Sequence, residues 1–70
     1  MSRDTIYLLD ILQAARLAQM YVAGKTLEEF SRDIQCQDAV IRRLEIIGEA
    51  ARRLSDETRQ SLASIPFNTM

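Results

Sequence analysis

Glu45 and Glu49 stand four residues apart, a spacing that sets two carboxylates side by side on one helix face. Paired carboxylates suggest general acid–base work or cation binding, but either needs a further partner group. No ligand partner lies nearby in sequence, and two exposed glutamates on a helix are common, so a metal site is rejected. Cys36 is the one thiol in the chain. A nucleophilic cysteine needs an adjacent base, and the 70 residues contain no histidine. Without histidine, the usual ligand set of a structural zinc site is excluded as well. Cys36 reads instead as a small buried or half-buried hydrophobe. Tyr7 and Tyr21 read as packing residues with wet hydroxyls. The residues therefore offer no catalytic, cofactor-binding or metal-binding set, and no cofactor is expected.

The elements that would position these side chains are helices. One proline, Pro66, and two glycines, Gly24 and Gly48, punctuate the chain. The spacing predicts a first helix from about Asp4 to Ala23. At roughly 100° per residue, Leu8, Ile11, Leu12, Ala15, Ala18 and Val22 share one face, whereas Ile6, Leu9, Leu17 and Met20 form a second. Gly24 suits the position just past a helix end, where a left-handed backbone is needed. Thr26-Leu27-Glu28-Glu29 then has the form of a capping box. From there the apolar positions recur as Leu27, Phe30, Ile34, Ile41, Leu44, Gly48 and Ala51, with Gln37 in the one polar gap. Val40, Ile47 and Leu54 widen that stripe. Ser31 and Asp33 compete for backbone hydrogen bonds, which predicts a short helix near 27–32 and a long one near 34–54. Ser55 caps a last short helix from Asp56 to about Ala63, helped by Asp56 and Glu57 at its positive end. Ile65, ahead of Pro66, is pushed toward extended backbone.

Asp38, Arg42, Glu45, Glu49, Arg52 and Arg53 fall opposite the apolar stripe. Asp38 to Arg42 and Glu49 to Arg53 place the acid four residues before the base, worth about 0.2–0.5 kcal/mol each. Nine Lys and Arg against ten Asp and Glu leave a net charge of −1, so bulk charge gives no reason for nucleic-acid binding. No apolar run reaches the roughly 18 residues of a membrane span. Met1-Ser2-Arg3-Asp4 lacks the regions of a signal peptide, and a single cysteine fits a reducing compartment. A cytoplasmic location without membrane partners is the expectation.

A chain of this size buries only about 60% of its unfolded surface, and below roughly 70–80 residues a lone core rarely supplies more than about 3–5 kcal/mol. With disulfide and zinc excluded, self-association remains. The candidate subunit interface is Leu9, Leu17 and Met20 from the second face of the first helix, Ile46 beside the charged face, and Gly48. A glycine inside a helix costs roughly 1 kcal/mol against alanine. At Gly48 it allows either tight intramolecular packing or a helix crossing between subunits. The expected architecture is all-α: an antiparallel bundle of three to four helices, incomplete as a monomer and completed by dimerisation.

The run Gln37 to Ala51 with its single glycine, the segment Thr26-Leu27-Glu28-Glu29-Phe30 before it, and Ile65-Pro66-Phe67 after it resemble the HepT-like family of the HEPN superfamily. The resemblance extends from Arg3-Asp4 through Phe67, where relatives often carry tryptophan and this chain keeps an aromatic anchor. It implies the ribonuclease toxin of a two-gene pair whose antitoxin is a minimal nucleotidyltransferase. Such toxins are homodimers that cleave RNA without metal. The antitoxin transfers adenylyl groups to a tyrosine of the toxin's signature, which is an arginine, four to six residues, a histidine, one residue and that tyrosine. The signature lies in a helix beginning just after the point corresponding to Met70, so none of it maps onto this sequence. The resemblance thus implies that residues 1–70 are a single HepT-like helical domain lacking its C-terminal catalytic helix, truncated and inactive, with RNA bound only by full-length relatives. The charged face would then border the cleft or meet the antitoxin in those relatives. The alternative is a non-catalytic helical interaction protein that pairs with a full-length relative or the antitoxin.

Overall fold

The computed structural model describes residues 2–63. The expectations for Ile65, Pro66 and Phe67 lie outside the described residues. Four helices follow in order: α1 (Arg3–Val22), α2 (Leu27–Arg32), α3 (Ile34–Arg52) and α4 (Asp56–Ala63). Each boundary has a local cause. The Ser2 hydroxyl accepts from the Thr5 amide at 3.1 Å and so starts α1. Gly24 adopts φ 76°, and the Lys25 amide donates to the Val22 carbonyl at 3.0 Å, closing the turn that ends it. The capping box of α2 forms in both directions, Glu29 amide to Thr26 hydroxyl and Thr26 amide to Glu29 carboxylate, each at 3.1 Å.

The predicted break falls at Asp33, whose backbone leaves the helix with φ −103° and ψ 88°. Its amide donates to the Phe30 carbonyl at 3.1 Å, ending α2, while its carboxylate accepts from the Cys36 amide at 3.0 Å, starting α3. Lys25 reaches the other carboxylate oxygen of Asp33 at 3.0 Å. Gln37, the polar gap in the apolar stripe, donates its side-chain amide to the Phe30 carbonyl at 2.9 Å. An apolar residue there would leave that end of α2 with one acceptor less satisfied, which accounts for the interruption.

α1 and α3 pack antiparallel, and α2 leans on α3. Both ends of the long pair are fastened. At one end the Cys36 thiol donates to the Tyr21 carbonyl at 3.4 Å. At the other, Asp4 accepts from the Ser55 amide at 2.9 Å and from the hydroxyls of Ser55 and Thr58 at 2.5 Å each. The Ser55 hydroxyl in turn accepts from the Thr58 amide at 3.2 Å, the expected cap of α4.

The seam differs from the one that periodicity predicts. The buried apolar side chains are Ala14, Cys36, Ala50 and Leu54, three of them small. Around them Tyr7, Ile11, Ala18 and Tyr21 of α1 and Val40, Arg43 and Ile47 of α3 are half-buried. Leu8, Leu12, Ile34, Ile41 and Leu44, expected to form the core face, are exposed. The reason is physical: hydrophobic period identifies a face but not which edge of it meets the neighbouring helix. Here the helices meet along an edge whose buried members are Ala14, Cys36, Ala50 and Leu54. The result is open in shape. Its radius of gyration is 14.4 Å, against about 11 Å for a compact domain of this length.

Candidate functional site

The residues that could do chemistry are dispersed. Glu45 and Glu49 are exposed on the outer side of α3, and no group of three or more metal-ligating side chains occurs among the described residues. Neither Asp38–Arg42 nor Glu49–Arg53 closes into an ion pair. The pairs among the described residues are Lys25–Asp33 at 3.0 Å, Glu28–Arg32 at 2.7 Å and Asp56–Arg59 at 3.0 Å. Cys36 is buried, as its position at the stripe's border suggests.

One surface depression, about 680 Å³ and open to solvent, is lined by Lys25, Glu28, Glu29, Arg32, Asp33, Ile34 and Gln35. Its charges are engaged in holding the α2–α3 corner. Hydrogen bonds from the Thr26 amide and hydroxyl hold the Glu29 carboxyl below its ordinary range. The Cys36 amide, then the Lys25 ammonium, does the same for Asp33. Lys25 is raised by its bond to Asp33. Glu29, Asp33 and Lys25 are thus occupied by caps and an ion pair.

Surface chemistry is concentrated instead in apolar side chains, and their arrangement follows from the seam. In two antiparallel right-handed helices, the residue one step after a seam position, roughly 100° on, lies on the same side of the pair for both helices. Leu8, Leu12, Ala15 and Val22 each follow a seam residue of α1. Ile41, Leu44, Gly48 and Ala51 each follow a seam residue of α3. These eight therefore form one continuous face, on which Leu12, Ile41 and Leu44 are 54%, 53% and 56% exposed.

One step before the seam lies the opposite side, with Leu17 and Met20 of α1 and Arg42, Ile46 and Glu49 of α3. The five residues expected at a subunit interface thus divide. Leu17 and Ile46 are half-buried on this second side, Met20 is exposed there, and Leu9 is exposed at the rear of α1. Gly48 stands alone on the first side. A Cβ at Gly48 would meet only the tip of Arg52, at 3.6 Å. Among the described residues, no second helix packs tightly against this glycine.

Sequence reasoning passed over Arg43. It is half-buried in the seam, and its Nε is buried without a hydrogen-bond partner among the described residues. Its place among Val40, Ile47 and Ala50 at helical spacing was the available signal.

The described fold is all-α, with one antiparallel helix pair, two capped short helices and exposed apolar side chains. The chain matches the ribonuclease HepT-like family over residues 11–69, and it belongs to that family. It is similar to a "Probable ribonuclease HepT" of Thermococcus cleftensis, 38% identical over 91% of this chain and 58% of the relative. It is also similar to a "Gamma-glutamylcyclotransferase and putative RNase" of Methanocaldococcus jannaschii, 45% identical over 89% of this chain and 28% of that protein. The chain spans little more than half the length of the first relative and under a third of the second. No solved structure matches it. Among the described residues, no helix is long and apolar enough to cross a membrane.

Proposed function

We propose that these 70 residues are the helical scaffold of a HepT-like ribonuclease toxin, a part that orders and pairs the protein without cutting RNA itself. The observation that carries this reading is the lack of any histidine in a chain of a ribonuclease family. The cleavage signature implied by the resemblance needs an arginine and a histidine in concert, and general acid–base catalysis contributes typically about 10²- to 10⁴-fold. On this reading the scaffold acts in the cytoplasm, self-associates as a homodimer, and offers its charged α3 side to a nucleotidyltransferase antitoxin. The residues of RNA chemistry belong to sequence other than these 70.

The test is an RNA-cleavage assay on purified residues 1–70 at neutral pH, with the Thermococcus relative as the comparison. The expected result is no cleavage above buffer. Cleavage that co-elutes with the 70-residue chain and survives repurification would place an active centre within α1–α4 and reject the scaffold reading. A second reading, a non-catalytic helical module that pairs with a full-length relative or the antitoxin, is supported by the eleven large hydrophobic side chains that the described residues expose.

A further inference from the structure

We propose that α4 takes the missing half of its cap from α1, so that α4 forms only while the first turn of α1 is seated beside it. The Asp4 carboxylate is the clasp. This dependence is a property of the fold and rests neither on the RNA reading nor on self-association.

A helix begins with amides that lack intrahelical partners. A capping box satisfies two of them reciprocally: the cap hydroxyl takes the amide three residues on, and a carboxylate at that residue returns to the amide of the cap. α2 does both within itself, through Thr26 and Glu29 at 3.1 Å each. α4 does only the first half. The Ser55 hydroxyl accepts from the Thr58 amide at 3.2 Å, but Thr58 has no carboxylate to return. Asp56, the adjacent acid, is paired instead with Arg59 at 3.0 Å.

Asp4 makes the return from 51 residues away. One of its oxygens accepts from the Ser55 amide at 2.9 Å, in the place that Glu29 fills for Thr26. The other accepts from the Ser55 and Thr58 hydroxyls at 2.5 Å each. Bonds to an ionised carboxylate are stronger than those between neutral groups. The capping box of α4 is thus split between two helices, with its acid on α1.

The dependence runs one way. α1 has its own cap, the Ser2 hydroxyl accepting from the Thr5 amide, so the bonds of Asp4 are spent on α4. α4 has eight residues, and an isolated helix shorter than about 12–15 residues is marginal in water. Its start therefore decides whether it forms. What brings Asp4 to Ser55 is the antiparallel packing of α1 on α3, whose seam at that end holds the buried Leu54. Seating of α1 is in this way converted into order in α4, and residues 64–70 leave from a helix whose start is fixed at the other end of the chain.

The experiment is site-resolved amide hydrogen exchange on the 70-residue chain, which reads the opening of each helix separately. Four forms are compared: wild type, Asp4→Ala, Thr58→Glu and the double variant. Asp4→Ala is expected to speed exchange in α4 roughly five-fold or more, the factor that loss of a typical cap implies, and well beyond any rise in α1, α2 or α3. Thr58→Glu supplies a local acid of the kind Glu29 provides in α2. In the Asp4→Ala background it should slow exchange in α4 again. In the presence of Asp4 it removes a bonded hydroxyl and sets a second carboxylate against the first, so it should speed exchange. That reversal of sign is the signature of a shared cap. Should Asp4→Ala not fold, Asp4→Asn carries the same test, because its amide nitrogen cannot accept from the hydroxyls. Unchanged exchange in α4, an equal rise in all four helices, or a Thr58→Glu effect of the same sign in both backgrounds would each overturn the proposal. The RNA assay is independent of all of these.

Discussion

Asp4 is the residue on which the closure of this chain depends most visibly. It accepts three hydrogen bonds from Ser55 and Thr58, joining positions 51 and 54 residues apart. Those bonds, the Ser55 hydroxyl's first among them, lower its pKa. Glu29 and Asp33 are lowered too. A carboxyl whose folded pKa lies below its unfolded value of about 4 contributes stability that is fully present above that value and is lost as pH falls through the folded pKa. The protein is therefore expected to melt at progressively lower temperature below about pH 4. Asp4→Asn should lower the melting temperature at pH 7 and flatten that acid limb; circular dichroism melts at both pH values check it. Lys25 acts in the opposite sense. Its raised pKa gives stability that is lost as pH rises through that pKa. Arg43 presents a different residue-scale case. Its Nε is buried and unpartnered, and exchanging such a group for a hydrophobe of similar size removes a desolvation penalty of about 1–3 kcal/mol. Arg43→Leu is expected to stabilise the protein by about 1 kcal/mol, within that same range. A loss of stability in urea melts would show that the guanidinium packs or pairs productively.

At the scale of the elements, the sequence was legible wherever structure is decided locally. Gly24, the Thr26–Glu29 box, Asp33 and Ser55 are each an end signal made of a few adjacent residues, and each sits where its chemistry predicts. Thr26→Ala is accordingly expected to cost about 1 kcal/mol, the typical value of an N-cap, measurable by chemical denaturation; an unchanged midpoint would mean that α2 contributes nothing to cooperative unfolding. What the sequence could not give was the seam. Leu8 and Ile11, or Leu44 and Ile47, fit one apolar stripe equally well, because a helical period fixes neighbours on one helix and is silent about the helix opposite. The structure settles it by burying Ala14, Cys36, Ala50 and Leu54 where α1 meets α3. Gly48 was left between two readings for the same reason. A tight internal contact needs a partner helix on that side, and among the described residues a Cβ there meets only Arg52. The candidate interface divided across two faces because its members were selected by exposure on separate helices, before the rotation of one helix against the other was known.

The whole molecule turns these rotations into a question about assembly, and Gly48 gives the means to ask it. In a lone protomer a Cβ at Gly48 meets only the flexible end of Arg52 among the described residues, so Gly48→Leu should stabilise α3 by up to about 1 kcal/mol through helix propensity. In a self-associated pair with Gly48 at the contact between copies, the added side chain would be overpacked, at a cost of about 1–3 kcal/mol. The two effects have opposite signs and different dependence on concentration. Because association stabilises by mass action, an associating protein melts higher as it is concentrated. The wild-type melting temperature is therefore expected to rise with concentration, whereas that of Gly48→Leu rises less. At high dilution the variant should be the more stable of the two, and in concentrated solution the less stable, so the curves cross. Parallel curves with the variant always above would mean that Gly48 faces solvent in every state of the protein. Parallel curves with the variant always below would mean that the glycine is required within the protomer itself, contrary to the space around it.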